Sequence, residues 1–322
     1  MKNIYKKIIL LFAIVILFFV ILELFFSILE KSNVISYDNY FKETTYNFGS
    51  EYFHFDDDLG LVNNNLLRIN SNKTFKTNIF VLGDSVTAGF CVNNSYVNKL
   101  NRMSNLSQTR FFNLAVSGYN TFQEYAVLEK TTSDPDIVIL QFFYNDFINS
   151  DIFVNQSGNM IRIVNANYDH SSKVLVDNFI SSNIFKVIYS FFVSNNPCFG
   201  YSLNDNCFAH TSPIVYNYLN KIVDIVDSRN SKLILLYVPL EKEINGVRTY
   251  DNYENQYARH FIEDFSKEHN ISLVDISDDF LGFDLDTGKA EYCNPVDHHP
   301  NDLGHKIIAQ KLHEELLKLD II

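Results

Sequence analysis

Five short, nearly unbroken apolar runs constrain this chain more than any other feature. They are NIFVL (78–82), RFFNLA (110–115), DIVILQF (136–142), KLILLYV (232–238) and ISLVDI (271–276). A strand with one face in water alternates apolar with polar residues, whereas a strand covered on both faces does not. These runs are therefore expected to be buried strands. Between and after them lie stretches of helical character at 122–132, 213–228, 250–269 and 301–319. Ser212 is expected to cap the second of these, with Pro213 at the first helical position, where its missing N–H costs nothing. In the last, Ile307, Ile308, Leu312, Leu316 and Leu317 make the apolar stripe. Strand and helix in alternation predict an α/β domain with a mainly parallel five-stranded sheet between two helical layers. Ligands then bind beyond the C-terminal ends of the strands.

Upstream of this pattern the chain reads MKNIYKK and then an apolar run from residue 8 to about 29. A helix needs about 20 such residues to cross the hydrocarbon core of a bilayer. Its one internal charge, Glu23, lies toward the far end, where burial is cheaper than at the centre. Lys2, Lys6 and Lys7 precede the run, so the N-terminus is expected in the cytoplasm and the rest of the chain outside it, in a periplasmic or extracellular space. A cleaved signal peptide is the alternative, but the run ends in FFSILEKSN without a pair of small residues. Either way the remainder is exported. The expected organisation is a membrane anchor at 1–30, a stalk and lead-in at 31–76, and one α/β domain at 77–322.

Charge narrows the partners. The 322 residues carry 38 Asp and Glu against 26 Lys and Arg, a formal net charge of -12. Nucleic acid and anionic lipid are bound chiefly through cationic side chains that neutralise phosphates, so no nucleic-acid partner is expected. The close His298, His299 and His305 lack matching Asp or Cys spacing, and no metal or other cofactor is expected.

Residues 147–211 break the strand–helix rhythm. A connection this long reads as a lid or substrate-binding insertion, the alternative being a packed decoration. Within it, Cys198 and Cys207 bracket the polar stretch FGYSLNDN and suit a disulfide-closed loop, although free half-buried thiols fit the spacing as well. Export favours the disulfide. Cys91 lies six residues after Ser85 and Cys293 six before His299, so a second bond between them would pin two sides of the candidate site.

Four motifs carry the chemistry. VLGDSVTAG (81–89) follows the first strand, and a Ser at the tip of such a turn exposes its hydroxyl, which suits a nucleophile. NLAVSGYNT (113–121) follows the second, where Gly118 could offer a backbone N–H at close range. QFFYNDF (141–147) follows the third, where Asn145 could offer a side-chain amide donor. The fourth is YCNPVDHHPNDLGHKIIAQKL (292–312). In an extended segment, residues two apart point the same way, so Asp297 can sit beside the His299 imidazole, with His298 turned away. His305 is expected to be an ordinary residue of the final helix.

In this order the four motifs resemble those of the SGNH hydrolases, a GDSL-like family with a flavodoxin-like sheet. The resemblance spans about 78–319, with the 147–211 insertion poorly covered. It implies Ser85 as nucleophile, His299 as its base and Asp297 as the orienting carboxylate. It also implies an oxyanion hole made by the Ser85 N–H, the Gly118 N–H and the Asn145 amide. Many members place the Asp three residues before the His, and Val296 stands there in this chain. The shorter D-x-H-P form resembles a set of membrane-anchored bacterial members. The implied activity is hydrolysis of an ester, such as an O-acyl group on a surface glycan or lipid. An acyltransferase would use the same triad, and a non-catalytic surface protein would be expected to have lost at least one of these residues.

Overall fold

The computed structural model describes residues 2–31, 53–56, 60–69, 75–90, 92–104, 109–147, 205–239, 242–244, 247–249, 253–281, 292–294 and 297–322. The chain begins with helix α1 (Lys2–Lys31). A hairpin of β1 (Phe53–Asp56) and β2 (Gly60–Asn63) and a short helix α2 (Asn65–Ile69) lead into the sheet. Strand β3 (Thr77–Leu82) is followed by α3 (Ser85–Ala88) and α4 (Tyr96–Met103), then by β4 (Thr109–Asn113), α5 (Thr121–Lys130) and β5 (Ile137–Phe142). A single 3₁₀ turn, Tyr144–Phe147, closes β5. After the insertion come α6 (Asp205–Ser228), β6 (Lys232–Tyr237), the small hairpin β7 (Lys242–Ile244) with β8 (Val247–Thr249), α7 (Tyr253–His269), β9 (Ser272–Asp275) and α8 (Ser277–Leu281). A last hairpin, β10 (Tyr292–Asn294) with β11 (Asp297–Pro300), precedes α9 (Asp302–Lys318).

The five expected strands form one sheet in the order β4-β3-β5-β6-β9, with every pairing parallel. The central strands are buried almost throughout, and all six residues of β5 are inaccessible. The edge strands β4 and β9 are interrupted by exposed Arg110 and Ser272. Side chains alternate between two cores. Phe80, Leu82, Val138, Leu140 and Phe142 pack beneath α5, α6 and α7, against Leu128, Leu219, Ile222 and Ile262. Ile79, Val81, Ile137 and Ile139 pack on the opposite face beneath α4 and α9, against Leu100, Ile308 and Leu312. Each of these large side chains contributes roughly 1.5–3 kcal/mol by leaving water. The continuous apolar runs follow from this double burial.

The chain moves from β3 outward to β4, then crosses back over to β5 on the other side of β3. The loops after β3 and β5 therefore diverge at the sheet's C-terminal edge, where open α/β sheets bind ligands. The lead-in also belongs to the core, since Val62, Leu66 and Ile69 are buried with Phe80 and Phe112.

Two expectations are corrected. Helix α6 begins at Asp205, so Ser212 is no cap and Pro213 lies inside the helix. Pro213 has no N–H for the carbonyl of Ala209, which costs about 3 kcal/mol or more. The extra N-terminal turns place Cys207 and Phe208 in the core, fully buried, and Phe208 stacks on Tyr257 with ring centroids 3.8 Å apart. That packing offsets the proline. In α9, Leu317 is 48% exposed, because it is turned about 100° from the buried Leu316. Ala309 completes the stripe instead.

Along α1, thirteen large apolar side chains between Leu11 and Ile28 are exposed, while Leu22 and Phe26 are half-buried. The side chains of residues 1–10, 13 and 29–31 lie outside the described set. Among the described residues no helix is long and apolar enough to cross a membrane. Residues 148–204, including most of the expected lid and Cys198, are likewise outside it, as are the side chains of Cys91 and Cys293. Cys207 is disulfide-bonded.

Candidate active site

Ser85 opens a one-turn helix at the C-terminal end of β3. Gly83 makes the bend, at φ +154°, where a Cβ would fall on Thr87 Oγ1 and lie 2.7 Å from Gln141 Oε1. Gly83→Ala therefore faces both an overpacked turn and a backbone conformation that disfavours side chains. It is expected to lower unfolding free energy by about 2–5 kcal/mol. Urea denaturation checks this, and an unchanged midpoint would show that the turn can relax. Asp84 caps the helix by accepting the Val86 N–H at Oδ1, at 2.8 Å. Beneath it, Gln141 Oε1 accepts from Thr87 Oγ1 at 2.9 Å, so Thr87 has no proton left for Tyr96. Tyr96 must then donate its hydroxyl to Thr87, at 2.7 Å.

Across 214 residues of sequence, β11 brings His299 to this turn, and its Nε2 lies 2.7 Å from Ser85 Oγ. Asn301 fixes the chain just beyond by capping α9, its Oδ1 accepting from the Leu303 and Gly304 N–H groups. The Phe90 ring packs against the imidazole with centroids 4.5 Å apart. Ser85 itself is only 5% exposed. Asp297 is in the extended strand with His299, as the i, i+2 argument requires, but its side chain and that of His298 lie outside the described residues.

The three strand-end loops are tied to one another in pairs. Asn113, at the end of β4, donates its amide to the Thr87 carbonyl of α3 at 2.7 Å. Asn145, in the turn after β5, donates its amide to Asp84 Oδ2 at 2.6 Å. Thr121, at the start of α5, donates its hydroxyl to Asp146 Oδ1 at 2.7 Å. Gly118 sits in the loop between β4 and α5 at φ +85°, a conformation that glycine adopts without strain. Asn145 has two amide protons, and Asp84 takes one, leaving the second N–H for another acceptor.

Asp84, Glu124 and Asp146 are all buried around this turn. Burial raises the Asp84 carboxyl above its usual range, against the opposing pull of the Val86 N–H, His299 and Asn145. Burial, followed by the nearby Asp146 and Asp84, holds Glu124 well above the usual range, and neither of its oxygens has a partner among the described residues. Asp146 is pushed up to about 8, again mainly by burial. None of the three had a distinctive signal in the sequence, since Asp84 and Asp146 look like ordinary turn residues beside Ser85 and Asn145. His305 is held away from Ser85. It is buried in α9, its Nδ1 accepts the Tyr96 N–H at 3.1 Å, and burial lowers it to about 3, so it stays neutral. Among the described residues no group of His, Cys, Asp and Glu could hold a metal ion.

Fold and site define a parallel α/β protein that holds a Ser–His pair at its strand C-termini. The chain belongs to the GDSL-like lipase/acylhydrolase family, whose sequence model matches residues 81–307. Solved structures to which the chain is similar include an acetyl xylan esterase, at 15% identity over 74% of this chain and 99% of the other, with a TM-score of 0.46. A member of the lipolytic G-D-S-L family from Veillonella parvula is 18% identical over 74% of this chain and 97% of the other, with a TM-score of 0.43. The esterase EstA from Pseudoalteromonas is 15% identical over 76% of this chain and 98% of the other, also with a TM-score of 0.43. Among curated proteins none matches this chain.

Proposed function

We propose that this protein is an exported, membrane-anchored serine esterase that removes an O-acyl group from a surface glycan or lipid. The observation that carries the reading is the 2.7 Å contact between Ser85 Oγ and His299 Nε2 in a member of an acylhydrolase family. In this reading His299 takes the hydroxyl proton while Ser85 Oγ attacks the ester carbonyl carbon. The carbonyl electrons move onto oxygen, where the free N–H of Asn145 and the N–H groups of Ser85 and Gly118 receive the charge. Each such donor is worth about 2.7–4 kcal/mol. His299 then returns its proton to the leaving alcohol, and water releases the acid by the same steps in reverse. Asp297 orients the imidazole and stabilises its charged form.

The test is product analysis with the full chain in detergent, supplied with a short-chain acyl ester and a polysaccharide acceptor. Free acid is expected as the main product. Accumulation of acylated glycan without free acid would replace hydrolysis by transfer to a sugar hydroxyl.

Two features support export and anchoring. Thirteen large apolar side chains of α1 are 44–69% exposed, and a lipid surrounding would bury them. The disulfide at Cys207 suits an oxidising compartment. A reporter active only outside the cytoplasm, fused after Ile322, is expected to be active. Activity of a cytoplasm-only reporter at the same position would reverse the topology.

A further inference from the structure

The hydrogen bonds among the strand-end loops point to a residue that acts on the oxyanion hole without touching substrate. The geometry points to Asp146 as a positioning residue that locks the Asn145 amide in its donating orientation. Three observations carry this. Asp146 is the immediate neighbour of Asn145 in the single 3₁₀ turn after β5 and is 6% exposed. Its Oδ2 accepts the Phe143 N–H at 2.8 Å, which folds the turn back on itself. Its Oδ1 accepts the Thr121 hydroxyl at 2.7 Å, and Thr121 is 1% exposed at the first position of α5.

One side chain thus bolts the Asn145 turn to the helix that follows the Gly118 loop. The Asn145 side-chain amide is held by Asp84 on the loop after β3, while its own turn is held by Asp146. Asp84 sets where the Asn145 nitrogen points, and Asp146 sets where its backbone stands. A misplacement of about 1 Å in such a donor costs up to about 10² in rate. Losing Asp146 should therefore act on the transition state and spare substrate binding.

This inference rests on the esterase reading, and the experiment separates the two. Wild type, Asp146→Ala, Asn145→Ala and the double variant are compared on a short-chain ester, using the full chain in detergent. Asp146→Ala is expected to lower kcat by about 10–100-fold with KM within about twofold. In the Asn145→Ala background, where the donor is already gone, the same change should cost less than about twofold, a coupling that a purely structural residue would not show. Asp146→Asn should stay within about threefold of wild type. Its carbonyl still accepts the Phe143 N–H, and its amide can donate to a turned Thr121 hydroxyl. Should Asp146→Ala fail to fold, Thr121→Val decides by the same cycle with Asn145→Ala, since it removes only one of the two bonds. Additive losses in the cycle, or a folded Asp146→Ala with wild-type kcat, overturn the proposal while leaving an active esterase. A wild type that neither hydrolyses esters nor reacts with a fluorophosphonate overturns the esterase reading and this proposal together.

Discussion

Ser85→Ala is expected to remove esterase turnover, by about 10⁴–10⁶ in kcat, while the protein remains folded. The change deletes one hydroxyl whose hydrogen-bond partner is His299. No packing is lost, because alanine fits wherever serine does. A residual rate above water is expected from substrate binding and the oxyanion donors, which survive the substitution. Steady-state hydrolysis of a short-chain ester measures the loss, and circular dichroism with thermal unfolding verifies the fold. A folded variant with wild-type turnover would mean that another group attacks the ester.

His299→Ala should be nearly as damaging, and the Ser85→Ala/His299→Ala double variant no worse than either alone. The two residues act as one unit, so removing the base from an absent nucleophile changes nothing further. The neighbouring positions give the control. His298 precedes His299 in β11, and successive side chains in an extended strand point to opposite faces. His298→Ala should accordingly cost far less than His299→Ala. If Asp297 orients His299 as proposed, it should be needed. Asp297→Asn is expected to cut kcat by orders of magnitude with little effect on substrate binding, because an amide cannot stabilise the imidazolium. Retained activity in Asp297→Asn would leave a Ser–His pair oriented by some other group.

What could be read from the chain depended on whether burial leaves a periodic trace. The five sheet strands were legible because helices cover both faces and leave no exposed position in β5. The three small hairpins were not. Strands such as KEI and VRT have three residues each, too few to show a period. The start of α6 was missed because Pro213 looks like a helix beginning, and the compensating burial of Cys207 and Phe208 is visible only in three dimensions. Ser85, Asn145 and His299 were singled out through their order along the chain and their position after strands. Asp84, Glu124 and Asp146 escaped for a physical reason. An acidic residue in a loop or at a helix start is ordinarily solvated, and nothing in one dimension distinguishes one that is buried.

A Ser85 nucleophile activated by His299 can be captured covalently. The full-length protein is incubated with a fluorophosphonate, digested, and mapped by mass spectrometry. One phosphonylated site is expected, on Ser85, absent from Ser85→Ala and formed far more slowly in His299→Ala. An adduct on a different residue, or an unmodified wild type that still hydrolyses ester in the presence of the reagent, would contradict it.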